Sequence, residues 1–136
     1  MKDRYLFKAK RVDDGEWVQG CYIYNIDRDC SESLNKFAHR IQPLYAHAYA
    51  EPIDPTTICQ CTGLNDKNGK LIWENDIIRT KVGTAKVIWD KSEWRIEWLK
   101  SDLWRKDLYY WAVEDNQKIE VIGNIFDSPE SLESER

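Results

Sequence analysis

Asp66, Asn68 and Gly69 fall in the run NDKNGK, a mixture of oxygen-bearing side chains and glycine of the kind that calcium loops use. An EF-hand loop reads D-x-[DN]-x-[DN]-G-x5-E, with glycine in sixth place. Setting Gly69 sixth puts Leu64 first and Asn75 twelfth. The leading carboxylate and the closing bidentate glutamate are then both missing, so no tight calcium cage forms. Asn68-Gly69 predicts instead a type I′ hairpin turn, which needs positive φ at both central residues. Asp66 can brace that turn by accepting from the backbone just after it. Glu74 and Asp76 lie two apart and, on a strand, share a face, where a carboxylate pair could do acid–base work. The same spacing suits a solvated strand edge.

Four cysteines and two histidines are the conventional candidates for metal ligands. Zinc sites use cysteine pairs spaced C-x2-4-C. Cys21 and Cys30 are eight residues apart by intervening count, Cys59 and Cys61 one, and His39 and His47 seven. These spacings suit thiols filling small apolar positions, so no metal and no cofactor are expected. No P-loop, dinucleotide fingerprint, H-E-x-x-H or G-x-S-x-G occurs, and no Ser–His or Cys–His arrangement stands out. The expectation is a protein that is not an enzyme, with no catalytic residue to name. The segment WRKDLYYW, residues 104–111, is the best binding candidate. It sets Arg105 and Lys106 among Trp104, Tyr109, Tyr110 and Trp111, and aromatic rings beside cations can stack bases and hold phosphates. Trp104, Arg105, Lys106 and Tyr110 are the candidate nucleic-acid contacts; Asp102 and Asp107 dilute their charge.

The elements that must position these residues are strands. The 136-residue chain has seven Trp and seven Tyr but one Met, a composition that fits half-buried pleated surfaces. RYLFKAK alternates Tyr5, Phe7 and Ala9 against Leu6, Lys8 and Lys10; DDGE turns the chain; Trp17–Tyr24 completes an N-terminal hairpin. Residues 25–57 are the least regular, and Pro52 and Pro55 there favour extended loop. Further on, strands are predicted with Ala85, Val87 and Trp89 inward, then Trp94, Ile96 and Trp98, then Tyr109, Trp111 and Val113. KIEVIGNIF is another strand, with Gly123 at a bulge or close approach. DSPESLESER predicts a short C-terminal helix capped by Ser128. The expected fold is mainly β: an N-terminal hairpin lobe (1–58) and a C-terminal lobe (59–136), the latter an SH3-like small barrel or two-sheet sandwich, within a single domain.

Two long motifs resemble the YopX family. QCTGLNDKNGKLIWENDII is similar to a family pattern Q-Y-T-G-L-x-D-K-N-G-K-x-I-Y-E-G-D-I, and IEVIGNIFDSPESLE resembles its C-terminal I-E-V-I-G-N-I motif. GEWVQGCYIY and IDPTTICQ resemble one branch of it. The resemblance implies a small phage or prophage protein with a mainly β fold, and it implies no activity, catalytic residue or cofactor. Cys61 and Trp73 stand where the family commonly has Tyr; Asn75 and Cys59 stand where it commonly has Gly. Positions that accept Gly and Tyr are not general metal ligands, and Asn75 puts in doubt any close backbone approach that Gly would permit there.

Charge completes the expectation. Twenty basic residues against 24 acidic leave a net charge of −4, which supplies no overall attraction to DNA or anionic lipid. No run reaches the roughly 18 apolar residues of a membrane helix, and the start lacks the apolar core of a signal peptide. The expectation is therefore a cytoplasmic accessory protein that binds a macromolecule. A protein partner is favoured over nucleic acid, self-association is an option, and no membrane is involved. An enzyme using Glu74, Asp76 or a histidine is the distant alternative.

Overall fold

The computed structural model describes residues 2–24, 38–44, 49–100, 102–115 and 118–130. The chain divides into two compact units, Met1–Cys61 and Thr62–Arg136.

In the first unit, strands β1 (Phe7–Lys10) and β2 (Trp17–Tyr24) form the N-terminal hairpin, with Lys10 opposite Trp17. Its turn is held by Arg11 N–H to the Glu16 carbonyl at 2.9 Å, and Gly15 supplies the left-handed φ of +72°. Tyr5 belongs to a 3-10 turn, Lys2–Tyr5, and not to the strand. Two strands arise within the segment expected to be irregular. These are β3 (His39–Pro43), paired along β2, and β4 (Glu51–Pro52), paired with β3. The proline argument missed β4 because an edge position tolerates a residue without an N–H donor. Beyond β4 the backbone returns to β1: Ile53 bridges Arg11, Val12 N–H reaches the Pro52 carbonyl at 3.1 Å, and Asp54 N–H reaches the Lys10 carbonyl at 2.9 Å. The sheet thereby turns back on its own first strand. Ala9, Val18, Ile41 and Ile53 fill it, with Phe7, Tyr22 and Ile58 packed alongside. Cys59 and Gln60, opening β5 (Cys59–Asn65), pair with the other edge of β1. His39 places its ring against Tyr22, whose hydroxyl lies 2.5 Å from Nδ1. Cys30 and His47 lie outside the described residues; Cys59 and Cys61 are buried and Cys21 is exposed.

In the second unit, β5 runs on into β6 (Leu71–Trp73) through the Asp66–Lys70 loop. A separate antiparallel sheet has the order β10-β7-β8-β9, with β7 Asp76–Thr80, β8 Gly83–Asp90, β9 Glu93–Trp98 and β10 Glu120–Asn124. Alternation places Ala85 and Val87 of β8 and Ile96 and Trp98 of β9 in the core, beside Ile72, Ile78, Ile119 and Val121. Trp89 departs from its expected inward place. It is 55% exposed near the hairpin tip and packs edge-on to the cross-strand Trp94, centroids 5.0 Å apart. At Gly123 the β10–β7 register shifts, and a Cβ there would lie 2.7 Å from the Ser128 hydroxyl. The expected C-terminal helix falls mainly on residues 131–136, outside the described set.

Residues 109–113 are not a strand. Tyr110–Glu114 is a π-turn, closed by Asp115 N–H to the Tyr110 carbonyl at 2.7 Å. Leu108, Trp111 and Ala112 are the buried members, a spacing of three and four that follows helical and not strand periodicity. The apparent alternation of Tyr109, Trp111 and Val113 misled because Tyr109 is 54% exposed while the neighbouring Ala112 is fully buried.

The turns also differ from expectation. The positive-φ residues within the first motif are Gly63 at +81°, Gly69 at +79° and Asn75 at +71°, and Asn68 is not among them. The 67–69 loop is therefore not type I′. It is a three-residue connection with Gly69 in the left-handed position, closed by Gly69 N–H to the Asp66 carbonyl and Asp66 N–H to the Lys70 carbonyl. Asn75 occupies a left-handed position in the two-residue β6–β7 turn, a conformation that Gly adopts without strain and Asn tolerates. The type I′ geometry occurs at Lys91 and Ser92, with φ of +53° and +63°, between paired Asp90 and Glu93. Neither residue favours that conformation. Replacing Lys91-Ser92 by Asn-Gly is expected to stabilise the chain by about 1 kcal/mol, read as a higher urea midpoint at unchanged slope. An unchanged or lower midpoint would mean that strain at this turn is negligible.

Candidate functional site

The segment after β9 is pinned to that strand's free edge. Ile96 N–H donates to the Lys106 carbonyl at 2.8 Å, and Arg95 bridges Asp107. The buried indole of Trp111 then donates from Nε1 to the Arg105 carbonyl at 3.1 Å. Trp111 is itself fixed edge-on between Trp98, at 5.3 Å, and Tyr110, at 5.0 Å. The π-turn thus holds Arg105 from below through the core, and the sheet holds it from the side. Between them lies a surface pocket of about 260 Å³, lined by Val82, Leu103, Trp104, Arg105, Tyr110 and Trp111.

Of the four candidate contacts, Trp104, Arg105 and Tyr110 meet at this pocket. Trp104 is 84% exposed, an unusual state for so large an apolar ring. The Arg105 guanidinium lies 4.3 Å from the Tyr110 ring centroid and 5.9 Å from that of Trp104. Lys106 faces away, into a second and more polar pocket of about 250 Å³ that Arg95, Glu97 and Asp102 also line. Val82 and Leu103 were not foreseen, while Trp111 belongs to the 104–111 segment without being one of the four candidate contacts. Val82 sits in the tight turn between β7 and β8 and Leu103 just before Trp104, and no motif in the sequence marks either of them.

Both candidate cations already face carboxylates. Arg105 Nε lies 2.6 Å from Asp107 Oδ1, and its terminal nitrogen lies 3.4 Å from Glu114 Oε2. Lys106 Nζ lies 2.8 Å from Asp102 Oδ1, and that contact holds the Asp102 carboxyl below its usual range. Close by, Lys81 Nζ is 3.0 Å from Asp115 Oδ1; this hydrogen bond and the opposite charge raise the lysine's pKa. A phosphate entering here would have to compete with carboxylates for each of these cations.

Asp66, the apparent cation ligand, is structural. Buried at 3% exposure, its Oδ1 accepts from Asn68 N–H and Lys70 N–H, both at 2.9 Å, and its Oδ2 accepts from Val121 N–H at 3.0 Å. Burial pushes its pKa up, but the three backbone donors, Val121 first, outweigh that and hold the carboxyl below its usual range. Glu74 and Asp76 share no strand face: Glu74 lies in the β6–β7 turn, while Asp76 is buried and accepts from Trp73 N–H at 2.8 Å. Among the described residues, no group of three or more His, Cys, Asp or Glu side chains is placed to hold a metal. None of the described helices is long and apolar enough to cross a membrane.

Fold and site define a mainly β protein of antiparallel sheets, with an aromatic-lined surface pocket on its second unit. A family model described as YopX protein matches residues 6–133, and the chain belongs to that family. The crystal structure of protein EF1440 from Enterococcus faecalis is similar in fold, with 20% sequence identity and a TM-score of 0.53, over 93% of this chain and 96% of that one. No curated protein matches the chain.

Proposed function

We propose that this YopX-family chain is a non-enzymatic phage or prophage accessory protein that binds a protein partner in the host cytoplasm. In this reading the second unit is an SH3-like small-barrel platform and the Trp104 pocket is its contact surface. The observation that carries the proposal is an almost fully exposed Trp104 on the rim of an apolar pocket whose neighbouring cations are already neutralised. Exposed aromatics beside a pocket are the residues that dominate protein interfaces, and local charge balance removes the attraction that phosphate binding needs.

Affinity capture from phage-carrying host cells tests this, with the wild-type chain and Trp104→Ala compared as baits. Because Trp104 is exposed, its loss should leave folding stability within about 0.5 kcal/mol. Recovery of the captured protein should fall at least roughly ten-fold, as expected for an interface anchor worth about 2 kcal/mol. Equal recovery by both baits would remove the pocket from the interaction. Nucleic-acid binding is the second reading, favoured by Trp17 of the first unit, whose ring has Lys8 Nζ at 4.7 Å and Lys10 Nζ at 5.4 Å. A low-salt fluorescence titration with single-stranded and duplex oligonucleotides separates the two: a response lost in Trp17→Ala would favour nucleic acid over protein.

A further inference from the structure

We infer that the Trp104 pocket recognises an arginine-bearing segment of its partner and that Arg105 occupies the arginine position in the free protein. This rests on the interaction reading above and names the chemistry of the partner. The guanidinium of Arg105 is held as a bound arginine would be: it lies over the Tyr110 ring at 4.3 Å and reaches Asp107 and Glu114 with its nitrogens. Aromatic face and paired carboxylates are together the elements that bind guanidinium in preference to other side chains.

Two further observations favour a cation over an anion as the incoming group. Around the pocket, Arg105 and Lys81 face three carboxylates, those of Asp107, Glu114 and Asp115, so one negative charge is in surplus. One of those carboxylates is also incompletely satisfied: Asp115 Oδ2 is buried without a hydrogen bond among the described residues. Asp115 closes the π-turn onto Tyr110, and its ion-pair partner Lys81 adjoins Val82; both Tyr110 and Val82 line the pocket. The Glu114 contact to Arg105 is long at 3.4 Å, and the Glu114 side chain is half exposed, so this part of the clasp opens at low cost. An arginine from a partner takes the place of Arg105 on Tyr110 and pairs with Glu114, and an adjacent apolar side chain fills the space beside Trp104 and Leu103.

The test is an NMR titration of the full-length chain with two capped tripeptides, leucine–arginine–leucine and leucine–glutamate–leucine. The indole N–H signals of Trp104 and Trp111 are followed; Trp111 reports directly because its N–H is bonded to the Arg105 carbonyl. The arginine peptide should shift both signals and bind at least five-fold more tightly than the glutamate peptide. Removing the internal occupant in Arg105→Ala should tighten the arginine peptide about five-fold, and Glu114→Gln should weaken it by a similar factor. Glu114→Gln is the deciding variant if Arg105→Ala loses its fold by circular dichroism, because Glu114 is half exposed. Tighter binding of the glutamate peptide, or weaker binding of the arginine peptide in Arg105→Ala, would overturn the inference while leaving the pocket as an interaction site. No shift with either peptide overturns the inference as well. Coupled with equal capture by wild-type and Trp104→Ala baits, that result would remove the interaction reading too.

Discussion

Replacing Asp66 with asparagine is expected to destabilise the protein by about 3 kcal/mol and lower its melting temperature by roughly 10 °C. The carboxylate accepts from three backbone N–H groups and is 3% exposed. Asparagine keeps one oxygen for Asn68 and Lys70, but its amide nitrogen would then face the Val121 N–H, donor against donor. A buried N–H left unpaired costs about 1–3 kcal/mol, and the charge assistance of the other two bonds is also lost. The pH dependence has a definite sign. Asp66 has a folded-state pKa below its unfolded value near 4. Its contribution is therefore complete above about pH 4 and is lost as pH falls through the lower, folded-state value. Denaturant titrations of wild type and Asp66→Asn should differ by a constant amount from about pH 5 to 8, and the two curves should converge below pH 4. Parallel curves down to the acid limit would show that another group carries the acid sensitivity.

Gly20→Ala is expected to cost about 3 kcal/mol or more, for a different reason. A Cβ at Gly20 would lie 1.9 Å from the Gln42 carbonyl oxygen and 2.7 Å from its carbon. Both are backbone atoms of the paired strand β3, so no side-chain rotation relieves the clash; β2 and β3 must separate where Gly20 faces Pro43. Overpacking against side chains costs about 1–3 kcal/mol, and rigid backbone neighbours put this case at or above that range. Gly69→Ala is the control. A Cβ there meets nothing within 4 Å, and the cost is that of a left-handed φ of +79°, about 1 kcal/mol. Urea unfolding of the two variants should therefore separate by about 2 kcal/mol. Equal losses would mean that the β2–β3 pairing shifts to accommodate the methyl group.

Much of the fold was legible because strands that bury one face must alternate. The sequence WVQGCYIY predicts β2 with its observed ends, and the period-two pattern of residues 94–98 places Ile96 and Trp98 in the core. The NDKNGK run was legible as a turn braced by Asp66, since an acidic residue two before a backbone N–H is a local geometry. The third donor to Asp66 was not legible: Val121 is fifty-five residues away, and no local pattern announces it. The turn type was misassigned for a similar reason. Asn-Gly favours type I′, but strand pairing through Asp66 and Lys70 sets a three-residue loop there, and the Asp90–Glu93 pairing of β8 and β9 places type I′ at Lys91-Ser92.

The candidate site divides in the same way. Composition and spacing marked residues 104–111 as aromatic and basic, because those properties belong to the side chains wherever they lie. Which rings are surface and which are core depends on the π-turn, since a helical period turns Trp111 inward while Tyr109 stays at the surface and Tyr110 half-buried. Whether Arg105 and Lys106 are available to a phosphate depends on Asp107, Glu114 and Asp102 reaching them through space. Local chemistry and periodicity are written in short stretches of chain and can be read there; strand closure, burial and ion pairing join distant stretches and exist only once the chain has packed.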